Sequence, residues 1–192
     1  MRKVAVILLL SATLSPGLSK ADTSRDDSSR RVKAERLVGG NENPPVVSEG
    51  SGMFKAWFRH DGIAFQLRYD VASEASDLAP EGSDITQSHL HIANPGTNGG
   101  IVVFLCTNLG NTPMGATMRE CPPSPGVVTG SIVMGDVQTV TSGEPPDQTT
   151  IIEAGDLEGL SRLIKQGAVY ANVHTDAHGG GEVRGQLNPR PR

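Results

Sequence analysis

The chain has 192 residues and a net charge of −4, and its length is enough for one domain with a hydrophobic core. Basic residues are scattered beyond the N-terminal region and aromatic residues are few, which argues against a nucleic-acid groove. Glycine (23) and proline (13) are plentiful while long helical patterns are scarce, so the composition favours an all-β domain.

The N-terminus has the pattern of a secretory signal peptide over residues 1–21. Arg2 and Lys3 supply positive charge, Val4–Leu10 is apolar, and the small residues Ser19 and Ala21 suit cleavage after Ala21. An uncleaved anchor is the alternative, but the apolar run is too short for a permanent membrane helix. We therefore expect an exported protein, periplasmic or extracellular, with no membrane span in its mature form.

The rest of the chain divides into a short leader and one domain. Residues 22–31 are charged and lack apolar side chains, which predicts a disordered leader. One domain is predicted over residues 32–189. Near its start, alternating apolar residues predict a hairpin formed by the strands Met53–Phe58 and Ile63–Tyr69.

Two strands are predicted in the middle of the chain. In Gln87–Ile92 the side chains alternate between faces, so His89 and His91 share one face. Gly100–Cys106 is continuously apolar and predicts a central strand of the sheet.

The chain contains two cysteines, Cys106 and Cys121. An even pair in an exported protein predicts one disulfide, which would hold the proline-rich loop between them. Two free thiols or a thiolate metal site are the alternatives. The absence of a CxxC spacing makes the metal alternative weak.

A single helix is predicted over Asp156–Gln166, just before the last strands. Asp156 suits the N-cap, Leu157, Leu160 and Ile164 form an apolar stripe, and Gly167 suits the position after the helix.

The segment Ala168–Leu187 predicts a C-terminal hairpin, because two alternating runs flank a glycine-rich turn. If His174 lies opposite Glu182, one face of the hairpin carries six polar side chains: Tyr170, Asn172, His174, Glu182, Arg184 and Gln186.

Five segments occur in the order found in one known family: Gly39–Val46 (GGNENPPV), Ser88–Ile92 (SHLHI), Gly155–Leu160 (GDLEGL), Gly167–Thr175 (GAVYANVHT) and Gly181–Leu187 (GEVRGQL). On these segments the sequence resembles the CHRD domain, a module repeated in chordin and found singly in bacterial exported proteins. The resemblance implies an immunoglobulin-like or Greek-key β-sandwich or barrel, with one short helix before the C-terminal hairpin. It implies no enzyme activity. The growth-factor antagonism of chordin does not transfer to a single domain without chordin's cysteine-rich modules.

The polar residues of these strands allow two interpretations. A His-x-His pair on a strand is a suitable start for a copper or zinc site, with His89, His91 and His174 as ligands and His178 and Glu182 as optional ones. The alternative is a structural network of five residues: Tyr170, Asn172, Glu182, Arg184 and Gln186. We favour the network, with Glu182 and Arg184 as a structural pair, because a guanidinium close to a cation site is repulsive.

The predicted function is therefore that of a non-enzymatic binding or structural module, whose partner is an unknown protein or extracellular ligand. A serine-hydrolase elbow, a P-loop and a dinucleotide fingerprint are all missing from the sequence. The alternative is a copper- or zinc-binding protein with metal-dependent redox activity.

Overall fold

The computed structural model describes residues 31–71, 85–113 and 118–189. The predicted signal peptide and the predicted leader as far as residue 30 lie outside these residues. The first strand begins at Arg31, one residue before the predicted start of the domain.

The described residues form eleven strands, one α-helix and two single-turn 3₁₀ helices, Gly39–Asn41 and Met134–Asp136. The strands are β1 (Arg31–Val38), β2 (Ser51–Phe58), β3 (Ile63–Asp70), β4 (Ile85–Ile92), β5 (Gly100–Thr107), β6 (Gly126–Ile132), β7 (Val140–Ser142), β8 (Thr149–Ile152), β9 (Val169–Thr175), β10 (Val183–Gln186) and β11 (Asn188–Pro189). The helix, α1, spans Leu157–Lys165.

The main sheet is antiparallel and nearly closes into a barrel. Its strand order is β5-β4-β9-β10-β1-β2-β3-β6, with β11 paired to β1, and the end strands β5 and β6 approach each other. β7 and β8 form a separate two-stranded ribbon. The prediction of an all-β fold with one short helix before the C-terminal hairpin is confirmed.

The hydrophobic core lies inside this barrel and follows the alternation of the strands. In the predicted β2–β3 hairpin, Phe54 pairs with Leu67 and Ala56 pairs with Phe65, and all four side chains are buried. The rings of Phe54 and Phe65 stack at 5.9 Å. The side chains on the other face of both strands are more exposed, as expected for a sheet that is solvated on one face.

The strand β5 is not central, contrary to the prediction for Gly100–Cys106. It lies at one end of the strand order and pairs along its length with β4 alone. Flanking loops cover its free edge. There the backbone nitrogen of Gln138 donates to the carbonyl of Val102, and the backbone nitrogen of Thr107 donates to the carbonyl of Arg119. The apolar run therefore reflects burial of the side chains, not the number of neighbouring strands.

The predicted helix and the predicted disulfide are both present. The Asp156 carboxylate accepts from the backbone nitrogen of Gly159 at 2.7 Å and caps α1, and Gly167 follows the helix with φ +76°. The sulfur atoms of Cys106 and Cys121 are bonded, which ties the end of β5 to the loop before β6.

Candidate metal centre

Two neighbouring strands bring the predicted histidines together. β4 pairs with β9 in a register that sets His89 opposite Asn172 and His91 opposite Tyr170. His174 lies two residues beyond Asn172 and therefore on the same face of the sheet. One nitrogen from each of His89, His91 and His174 lies within 4.8 Å of the other two. We refer to these three residues as the histidine cluster.

The cluster is closely packed and nearly inaccessible to water. The exposed fractions of His89, His91 and His174 are 0%, 8% and 6%. The closest nitrogens are Nδ1 of His89 and Nε2 of His174, which lie 3.3 Å apart. Two nitrogens bound tetrahedrally to one zinc ion, each at about 2.0–2.1 Å, are separated by about 3.3 Å. In the metal-free protein these two nitrogens share a hydrogen bond, and their spacing also matches that of two ligands of one ion.

Backbone carbonyls hold two of the three rings in a fixed orientation. Nδ1 of His91 donates to the carbonyl of Gly99 at 2.9 Å, and Nδ1 of His174 donates to that of Gly179 at 3.0 Å. Because a carbonyl can only accept, each Nδ1 carries a hydrogen and each Nε2 keeps a lone pair, which His174 uses to accept from Nδ1 of His89. Metal-binding histidines are oriented by hydrogen bonds of this kind.

Two nitrogens of the cluster are buried without a hydrogen-bond partner. They are Nε2 of His89 and Nε2 of His91. Buried polar atoms in proteins are almost always paired, so an unpaired one calls for an explanation such as an absent ion. An imidazole presents one nitrogen to a given ion, so His89 would use either this Nε2 or the Nδ1 that faces His174, whereas Nε2 is the only free nitrogen of His91.

Burial keeps the imidazoles in the form that binds metals. Burial, with the neighbouring His174 and His91 as smaller causes, lowers the pKa of His89 to about 2. Burial also lowers the pKa of His91 to about 4, although its hydrogen bond to Gly99 acts in the opposite direction. The pKa of His174 is lowered by burial as well. Neutral imidazole is the metal ligand, so no proton has to leave at neutral pH.

Arg184 lies behind Tyr170 and outside the cluster. Its guanidinium carbon is 3.8 Å from the centre of the Tyr170 ring, and the His91 ring stacks on Tyr170 at 4.8 Å. β4 carries His91 on one side of Tyr170, and β10 carries Arg184 on the other. The guanidinium donates to Asn98 Oδ1 at 3.0 Å and to the Thr97 carbonyl at 2.6 Å. Its donors therefore point at the β4–β5 turn.

Glu182 does not pair with Arg184, contrary to the sequence-based interpretation. Its two carboxylate oxygens accept from Ser48 Oγ at 2.7 Å and Thr175 Oγ1 at 2.8 Å. The regular β9–β10 pairing begins only after Glu182, and the preceding Gly181 has φ +121°. The alternation of the strand therefore does not extend back to Glu182, and its carboxylate is bound by residues outside the predicted network.

The rest of the predicted network also divides between separate environments. Gln186 donates to the carbonyls of Ala93 and Gly167, at 3.0 and 2.7 Å. The side-chain oxygen of Asn172 is buried without a partner. His178, predicted as an optional ligand, lies in the β9–β10 turn and is not among the histidines that converge in the described part of the chain.

Sequence reasoning missed Glu42, a buried carboxylate close to this region. A Cβ added to Gly181 would lie 2.6 Å from Glu42 Oε1 and 3.1 Å from Asn172 Nδ2, so these groups crowd around one glycine. Burial raises the pKa of Glu42 to about 7, and the nearby Arg184 opposes this rise. Glu42 lies within GGNENPPV, and the motif was the only available signal. Its glycines and prolines predict a loop and do not show what the loop contacts.

The arrangement defines a small, nearly closed β-barrel module with a buried cluster of three imidazoles. In the described residues no helix is long and apolar enough to cross a membrane. The chain matches the family model of the CHRD domain over residues 34–187, which is most of its length. It belongs to the CHRD domain family. No curated protein and no solved structure matches the chain.

Proposed function

We propose that this CHRD domain is an exported, non-enzymatic binding module that holds one copper or zinc ion in the histidine cluster. The observation that carries the proposal is the convergence of three neutral, buried imidazole nitrogens within 4.8 Å. Imidazole suits both metals. The family and the Cys106–Cys121 disulfide are both in keeping with an exported protein.

Three features support a metal-binding role over a chance meeting of histidines. The carbonyls of Gly99 and Gly179 fix two tautomers so that each Nε2 presents a lone pair to the cluster, although that of His174 accepts from His89 in the metal-free protein. Two buried nitrogens have no partner. The guanidinium of Arg184, which made the metal interpretation less favoured from sequence, is separated from the cluster by the Tyr170 ring.

A structural role is the second candidate, and the ring packing favours it. His89 meets the Phe104 ring edge-to-face at 4.5 Å, and His91 stacks on Tyr170 with an angle of 2° between the planes. Such contacts stabilise a barrel without any metal. In that role the histidines would be polar members of the protein interior.

Metal titration separates the two roles. Untagged, metal-free protein is titrated with Cu²⁺ and with Zn²⁺ at pH 7.5 and pH 5.5, beside the His89→Ala/His91→Ala variant. The His60→Ala variant is the control, because His60 is an exposed turn residue outside the cluster. The proposal expects one equivalent of bound metal, little change in affinity between the two pH values because folded His89 and His91 stay neutral at both, and loss only in the double variant. Equal weak binding by all three proteins would assign the cluster to the fold.

A further inference from the structure

The ligands and charges around the histidine cluster favour one kind of ion over others. We infer that the site selects monovalent copper, Cu(I), over Zn²⁺ and Cu²⁺. This inference rests on the proposed metal-binding function and goes beyond it by naming the oxidation state and charge of the ion.

The donor set of the cluster favours a monovalent ion. In the described residues the converging group consists of three imidazoles, with no carboxylate or thiolate among them. Both cysteines are consumed in the disulfide. The oxygens of Glu182 are bound by Ser48 and Thr175. The protein therefore supplies three neutral ligands, and the charge of the ion stays uncompensated in its ligand shell.

Burial of the cluster also favours a monovalent ion. Nε2 of His89 and Nε2 of His91 have essentially no contact with water. The free-energy cost of moving an ion from water into a medium of low dielectric constant rises with the square of its charge. A divalent ion without an anionic ligand therefore meets about four times the desolvation cost of a monovalent ion of similar size.

The nearest buried cation also disfavours a divalent ion, although the buried carboxyl of Glu42 interacts with it and offsets part of its charge when ionised. The Arg184 guanidinium is 3.8 Å from the centre of the Tyr170 ring, and the metal-facing His91 stacks on that ring at 4.8 Å. The distance from Arg184 to the ion is set by the fold, so the repulsion is proportional to the charge of the ion. A divalent ion experiences twice the repulsion of Cu(I).

The number of ligands in the cluster also favours Cu(I). Zn²⁺ completes a tetrahedral shell, taking water as the fourth ligand where a protein supplies three histidines, and Cu²⁺ prefers square-planar or tetragonal surroundings. Cu(I), a d¹⁰ ion, is stable with three nitrogen ligands in a plane. The histidine cluster offers three nitrogens, and burial restricts the approach of water as a fourth ligand.

The test compares affinities for the three ions in one protein. Metal-free, disulfide-intact protein is titrated anaerobically with Cu(I) against a chromophoric Cu(I) chelator, and separately with Zn²⁺ and Cu²⁺ against chelators of known affinity. X-ray absorption of the copper-loaded protein gives the number of nitrogen ligands. The inference expects one tightly bound Cu(I) with three nitrogen ligands, which a tenfold excess of Zn²⁺ does not displace.

Arg184 variants test the electrostatic argument separately. Arg184→Gln removes the charge, and the repulsion argument expects the fold-gain in Zn²⁺ affinity to be the square of the fold-gain in Cu(I) affinity. Arg184→Lys keeps the charge and should leave the ratio of the two affinities unchanged. Circular dichroism verifies that each variant is folded, and the wild-type competition stands alone if Arg184→Gln is not.

Each outcome has a definite meaning. Tight Cu(I) binding with weak Zn²⁺ binding supports the inference. Binding of Zn²⁺ or Cu²⁺ as tight as that of Cu(I), or four ligands on the bound copper, overturns the selectivity and leaves the metal-binding function standing. If none of the three ions binds, the proposed function and this inference both fail.

Discussion

Acidification should destabilise the metal-free protein through its buried histidines. The pKa of His91 is about 4 and that of His89 about 2 in the folded chain, against an ordinary value of 6.5. The unfolded chain therefore binds protons below pH 6.5 that the folded chain does not, and stability falls as the pH drops. Between pH 7.5 and pH 5 each of these two histidines removes about 2 kcal/mol, or about 4 kcal/mol together.

Glu42 opposes this loss over the same range. Its pKa is raised to about 7, so the folded chain takes up a proton near neutral pH that the unfolded chain takes up only near 4.5. Its contribution to stability is present below pH 4.5 and is lost as the pH rises through 7, so acidification from pH 7.5 to pH 5 restores about 2 kcal/mol. The wild-type loss from His89, His91 and Glu42 is therefore about 2 kcal/mol, to which His174 adds in the same direction as the other histidines.

The assay is urea unfolding of disulfide-intact protein in chelator-treated buffer at pH 7.5, 6.5, 6.0 and 5.0. Glu42→Gln should increase the acid loss by about 2 kcal/mol, and the His89→Gln/His91→Gln variant should reduce it by about 4 kcal/mol. His60→Ala, which changes an exposed histidine, should follow the wild type. The linkage argument is refuted if the double variant and the wild type show the same dependence on pH.

Three further predictions concern the frame around the cluster. Replacing Cys106 and Cys121 by serine should lower the free energy of unfolding by about 3 kcal/mol, measured by urea unfolding, because the disulfide closes a loop across 15 positions. Gly99→Ala should cost about 1–3 kcal/mol in the same assay, since an added Cβ would collide with the backbone of β4, whereas Gly179→Ala meets open space and should be nearly neutral. Arg184→Ala should cost about 1.5–3 kcal/mol because the side chain, 2% exposed, packs on the Tyr170 ring and donates two charge-assisted hydrogen bonds, and a thermal midpoint equal to that of the wild type would contradict this.

Strand alternation predicted the local part of the site from sequence. It placed His89 and His91 on one face, and the register that sets Asn172 opposite Arg184 is present in the β9–β10 hairpin. These relations depend on neighbours within a strand or across one turn. Residues that are close in sequence are sufficient to determine them.

The pairing of β4 with β9 could not be predicted in the same way. His89 and His174 are 85 residues apart, and their contact depends on the order of strands in the sheet. The same limit explains Glu42, whose neighbours include Gly181 and Arg184 at the far end of the chain. Glu182 was misplaced for a local reason, because the alternation was extended to a residue that precedes the regular pairing, which begins at Val183.

Protons and metal compete for the same nitrogens, which joins the acid prediction to the proposed function. An ion that binds only the folded chain stabilises it by about 4 kcal/mol when its free concentration is 1,000 times the dissociation constant. That gain equals the loss of about 4 kcal/mol expected from His89 and His91 on acidification to pH 5. Metal-loaded protein should therefore be more stable than metal-free protein at pH 7.5, by an amount that is retained to about pH 5 and shrinks only as the pH approaches the folded-state pKa of His91, about 4. A purely structural cluster would retain the same acid loss while showing no stabilisation by metal at any pH, so unfolding curves with and without the ion distinguish a binding site from a polar interior.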